Sequence, residues 1–148
     1  MANVLIVYGS TTGNTENVAE TVARTLQNGG HKVTTLDVGK ADPANLCAGY
    51  DCVLFGCSTW GDDSIEFQDD FVPLFDAFDS IGVKGVKAAA FGCGDSSYTY
   101  FCGAVDSICE RLDELGANII AAGLKIDGDP AAAKDDVDAW AGEVMAAL

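Results

Sequence analysis

Short apolar runs alternate along this chain with segments whose apolar residues recur at helical spacing. Val4 to Tyr8 is a β-branched run ending at Gly9, which predicts a buried strand. Residues 15–28 set Val18, Val22 and Leu26 on one helical face, with Gly29-Gly30 as the stop. Lys32 to Val38 predicts a second strand, and Cys52 to Cys57 a third that opens into a loop rich in Gly and Asp. Phe67 to Phe78 is helical in places, with Pro73 shortening or kinking it. Val86 to Phe91 predicts a fourth strand. Val105, Ile108, Cys109, Leu112 and Leu115 share a helix face that stops at Gly116. Asn118 to Ile126 is a fifth strand, broken near Gly123. Asp129 and Pro130 read as N-cap and first turn of a last helix whose inner face is Val137, Trp140 and Val144.

Strand and helix thus alternate five times, the pattern of an α/β fold with a parallel sheet and helices on both faces. No linker, low-complexity tract or full repeat interrupts it, so residues 1–148 are expected to form one domain. One local echo stands out: the third strand ends Phe55-Gly56-Cys57 and the fourth ends Phe91-Gly92-Cys93. Each then opens into a loop of Gly, Asp and aromatic residues. In an open α/β sheet, ligands bind beyond the carboxyl ends of the strands, where strand order reverses.

Composition narrows the function. The hydrophobic fraction of 49% suits a packed core, yet no apolar run nears the ~20 residues of a membrane span. Met1 to Val7 lacks the basic region and cleavage site of a secretory signal, so a cytoplasmic location is expected. The net charge of −15 argues against nucleic acid and against an anionic membrane surface. No Lys or Arg lies between Lys40 and Lys84, a stretch that holds Asp62, Asp63, Glu66, Asp69 and Asp70. That is either a solvated acidic surface or a docking face for basic proteins. The six cysteines form no Cys-x-x-Cys pair and most sit in apolar runs, so they read as buried reduced thiols.

The first strand runs into Gly9-Ser10-Thr11-Thr12-Gly13-Asn14-Thr15, and a helix follows at once. A helix start presents N–H groups and the positive end of the helix dipole, and Gly9 and Gly13 let the backbone curl around an anion. Ser10, Thr11, Thr12 and Thr15 add hydroxyl donors. The segment carries no Lys, unlike the loop of nucleotide triphosphatases, and is not Gly-x-Gly-x-x-Gly. It predicts one phosphate held by amides and hydroxyls. The next two loops, Ser58-Thr59-Trp60-Gly61-Asp62-Asp63 and Gly94-Asp95-Ser96-Ser97-Tyr98-Thr99-Tyr100-Phe101-Cys102, put Trp60 and Tyr98 where they could cover both faces of a flat conjugated ring. A phosphate and a large ring together fit FMN best.

These three segments resemble the loops of flavodoxins: Ser10 to Thr15 the phosphate loop, Ser58 to Asp62 and Cys93 to Tyr98 the two flavin loops. The similarity spans the whole chain and is nearest the short-chain members from sulfate-reducing bacteria. It implies an open five-stranded parallel sheet in the order 2-1-3-4-5. It implies that Ser10, Thr11, Thr12, Asn14, Thr15 and Ser58 bind phosphate. Thr59, Trp60, Gly61 and Asp62, with Cys93, Gly94, Asp95 and Cys102, would meet the ring through backbone groups, while Trp60 and Tyr98 cover its faces. The implied role is a low-potential one-electron carrier passing through oxidised, neutral semiquinone and anionic hydroquinone states. The implied partners are basic or low-potential redox proteins: cytochromes, hydrogenases and ferredoxin-linked oxidoreductases. A monomer with no catalytic residues and no metal is expected.

Two features would separate the electron steps. The Gly61 peptide can turn so that its carbonyl accepts a hydrogen bond from the flavin N5–H. Asp62, Asp63, Glu66 and Asp95 would oppose further negative charge on the ring. An NAD(P)H-dependent quinone reductase on the same fold is the main rival, but it needs room for a nicotinamide where Trp60 and Tyr98 are expected. A signalling receiver lacks its acidic pair here, since Gly9-Ser10 stands in that place. A low-molecular-weight phosphatase lacks its Arg after Cys57 or Cys93. Asp62, Asp63 and Glu66 read as solvated loop acids rather than metal ligands.

Overall fold

The computed structural model describes residues 2–9, 13–44, 46–57, 59–60, 66–67, 71–94, 103–127 and 130–148. Its centre is the all-buried run Cys52–Cys57 (β3), flanked by Asn3–Gly9 (β1) and Lys87–Gly94 (β6). Lys32–Asp37 (β2) lies beyond β1 and forms an edge, and none of its residues is fully buried. On the other side of β6 the fifth strand comes in two pieces, Asn118–Ile119 (β7) and Leu124–Asp127 (β8). All these pairings are parallel. Counting the two pieces as one, the order is 2-1-3-4-5, as the resemblance implies. A separate antiparallel pair, Thr59–Trp60 (β4) and Glu66–Phe67 (β5), follows β3.

Helices cover both faces. Asn14–Asn28 (α1) and Lys134–Ala146 (α4) pack on one, through Val18, Val22, Leu26, Val137, Trp140 and Val144. Val72–Asp76 (α2) and Gly103–Glu114 (α3) pack on the other, through Leu74, Val105, Ile108 and Leu112. The small residues Ala88, Ala89 and Ala90 in β6 let both layers approach the sheet. The helix stops read from sequence are real. The amides of Gly30 and His31 donate to the Gln27 and Leu26 carbonyls at 3.0 and 3.1 Å, and Gly116 and Ala117 close α3 in the same way.

Three local readings change. Phe67 is strand rather than helix, and Pro73 sits in the first turn of α2, where its missing N–H costs nothing, so it goes with a short helix rather than a kinked one. Pro130 opens a 3₁₀ turn, Pro130–Ala133, and α4 begins only at Lys134. Asp129 lies outside the described residues.

Candidate functional site at the carboxyl edge

From β1, next to the centre of the sheet, the chain crosses outward to β2, then returns to the other side of β1 as β3. Strand order therefore reverses between β1 and β3, whose last paired residues are Gly9 and Cys57. The phosphate-loop strand and the first aromatic-loop strand end side by side. The strand of the second aromatic loop, β6, ends next to β3 with Cys93 and Gly94.

Gly13 caps α1 with φ 91°, in the left-handed region, and contributes no side-chain cap. A Cβ there would meet nothing within 4 Å, so the backbone at the helix start is open to approach. Asn14 begins the helix. Thr15 is fully buried in its first turn, the one buried polar residue among those described. A polar side chain in that position fits a site built to hold an anion. Asn17 donates to the Gly13 carbonyl at 2.9 Å and so locks the first turn. Glu16, also in that turn, and Asp37, at the end of β2, flank Tyr8. Burial pushes the Tyr8 phenol above its ordinary pKa, and Glu16, Asp37 and Glu20 push it further.

The remaining predicted residues divide as follows. Thr59 and Trp60 form β4, paired with Phe67 and Glu66. This short ladder lies against β6 and α3. Cys93 is buried and Gly94 ends β6 opposite Asp127. Ser10, Thr11, Thr12, Ser58, Gly61, Asp62, Asp95, Tyr98 and Cys102 lie outside the described residues. Asp62 and Asp63 do too, and no group of three or more metal-ligating side chains occurs among the described residues.

Among the described cysteines, Cys47, Cys52, Cys57 and Cys93 are buried, as the sequence suggests, while Cys109 is half-buried. Cys102 lies outside the described residues. Burial pushes Cys47 and Cys52 up to about 12, so both stay protonated at neutral pH. His31 follows the turn after α1, where its Nδ1 accepts a hydrogen bond from the Ala2 N–H at 3.0 Å. That is a structural tie far from the carboxyl edge. Sequence reasoning missed the β4–β5 ladder and the packing of Gly92 against Cys57. The repeated Phe-Gly-Cys segments were the available signal for the second.

The chain matches the Flavodoxin family over residues 6–140. It belongs to the flavodoxin family. It is 63% identical to a flavodoxin of Nitratidesulfovibrio vulgaris strain Miyazaki F, over 100% of both chains. It is 54% identical to one of Maridesulfovibrio salexigens, covering 95% of this chain and 94% of that one. Oxidised flavodoxin 1 of Bacillus cereus superposes with a TM-score of 0.90 at 32% identity, over 99% of each chain. These likenesses make the chain a short-chain flavodoxin of the kind found in sulfate-reducing bacteria, with FMN as cofactor and electron carriage as its role. Among the described residues, no helix is long and apolar enough to cross a membrane.

Proposed function

We propose that residues 1–148 form one monomeric FMN domain that carries single electrons at low potential between other redox proteins. The observation that carries this reading is the convergence at one edge. The helix start at Gly13 and the ends of β3 and β6, which launch the two aromatic loops, meet where strand order reverses. FMN, when bound, supplies a ring able to exchange electrons one at a time.

The chain's own residues would do the rest. Ser10, Thr11, Thr12, Asn14, Thr15 and Ser58 hold the phosphate through hydroxyls and amides, with Gly13 shaping the loop. Trp60 and Tyr98 cover the two ring faces and exclude water. Thr59, Gly61, Asp62, Cys93, Gly94, Asp95 and Cys102 border the ring through backbone groups. The Gly61 carbonyl would accept a hydrogen bond from a protonated ring N5, which would favour uptake of one electron together with one proton. The Asp62, Asp63, Glu66 and Asp95 carboxylates would oppose the negative charge that a second electron brings to the ring, which would lower the potential for its uptake. The same acidic rim would steer basic partners, such as low-potential cytochromes, to the ring edge.

Stepwise reduction of the FMN-loaded protein tests this. The expected result is two separated one-electron steps with a transient long-wavelength absorption band between them, and slow turnover in a mixture of NADH and quinone. A single two-electron step with rapid quinone reduction would overturn it in favour of a reductase.

A further inference from the structure

The two Phe-Gly-Cys segments run side by side, with Gly56 paired to Phe91, and their glycines make room for different things. A methyl group at Gly56 would overlap the Phe91 ring, a side chain in the α1–α4 core. A methyl group at Gly92 would instead overlap the Cys57 carbonyl oxygen, which is backbone, and would crowd Val105 Cγ2 at 2.9 Å. Val105 belongs to α3, so the occupied space is on the α3 side of the sheet. The end of β3 therefore lies across the bare face of Gly92. Two residues on, Thr59 begins β4, which rests against β6 and α3.

We propose that Gly92 is a positioning residue for the FMN ring. Its missing side chain leaves a notch in β6 that seats the Cys57 carbonyl and so fixes Thr59 and Trp60 relative to Cys93 and Gly94. The inference rests on the function proposed above, which puts the ring between these two segments. The chain allows little slack, because Thr59 follows Cys57 by two residues and Cys93 follows Gly92 directly. Any side chain at 92 must displace the Cys57 backbone by about an ångström, and a shift of that size in a supporting segment is enough to loosen a site.

The test compares Gly92→Ala with Gly56→Ala, using FMN and riboflavin, which has the ring but no phosphate. In Gly92→Ala, both ligands should bind about tenfold or more weaker, by similar factors, and the one-electron potentials of bound FMN should shift. Gly56→Ala should lower the unfolding temperature yet leave both dissociation constants within about twofold, because its overlap is with a core ring. Unchanged riboflavin affinity and potentials in Gly92→Ala would overturn the proposal, as would equal losses in both variants. If Gly92→Ala does not fold, amide exchange of the wild-type protein decides. Riboflavin should slow exchange in residues 57–60 and 92–94 together, and protection of only one segment overturns the coupling. A wild-type chain that takes up neither ligand overturns the functional reading itself.

Discussion

Gly13 holds φ 91° at the start of α1, with open space where a Cβ would sit. Alanine there meets no steric wall, so its whole penalty is conformational, about 1–2 kcal/mol for a left-handed backbone. Without ligand the variant can relax away from that geometry. Binding a phosphate at the helix start must then drive the backbone back, and the penalty appears as lost affinity. Gly13→Ala is expected to weaken FMN by about tenfold, the equivalent of 1.4 kcal/mol, while leaving riboflavin unchanged. Parallel fluorescence titrations check this, and an equal loss for both ligands would contradict a phosphate role for the loop. The pattern is the converse of the one expected at Gly92, where ring and nucleotide should suffer alike.

At the scale of elements, the fifth strand is broken into β7 and β8. Between β7 and β8 the Ala122 carbonyl accepts a hydrogen bond from Trp140 Nε1 at 2.7 Å, and Trp140 is itself buried against Phe91. Phenylalanine at 140 keeps an aromatic ring for Phe91 but removes the donor to the Ala122 carbonyl. The expected cost is about 0.5–1.5 kcal/mol in denaturant unfolding. A loss below about 0.5 kcal/mol would mean that water replaces the indole. Sequence revealed the break near Gly123 because glycine interrupts a β-branched run, but it could not reveal the indole tie, which joins residues 18 apart. The same division holds elsewhere. β1 and β3 are buried apolar runs with little competing signal, and the closures at Gly30 and Gly116 are local backbone chemistry. Pro130 misled because proline suits the first turn of a 3₁₀ helix as well as that of an α-helix. β4 and β5 are two residues each, too short for periodicity to register. In the candidate site, the helix start and strand ends were legible through Gly13, Thr15 and Cys93. Gly92 was not, because its role depends on which backbone crosses it.

Across the whole molecule, the net charge is −15. Asp37 ends β2 and Asp127 ends β8 at the carboxyl edge. On the function proposed above, Asp62, Asp63 and Asp95 would add to that charge beside the flavin. Two like charges about 10 Å apart repel by about 0.4–1.7 kcal/mol as the effective dielectric falls from 80 to 20. Since 1.4 kcal/mol is about 59 mV for one electron, each carboxylate would shift the second step by tens of millivolts before salt screening. Neutralising Asp62, Asp63 and Asp95 together, as Asp→Asn, should therefore raise the lower potential by several tens of millivolts or more and move the upper one less. On the function proposed above, the upper step would take up a proton with its electron and so would leave the ring uncharged. Association with a basic cytochrome should slow in the same variant and lose much of its dependence on ionic strength. Potentiometric titration at two salt concentrations separates the effects: the gap between variant and wild type should shrink as salt rises. A fall in the lower potential would mean that the carboxylates act by organising the loop rather than by their charge.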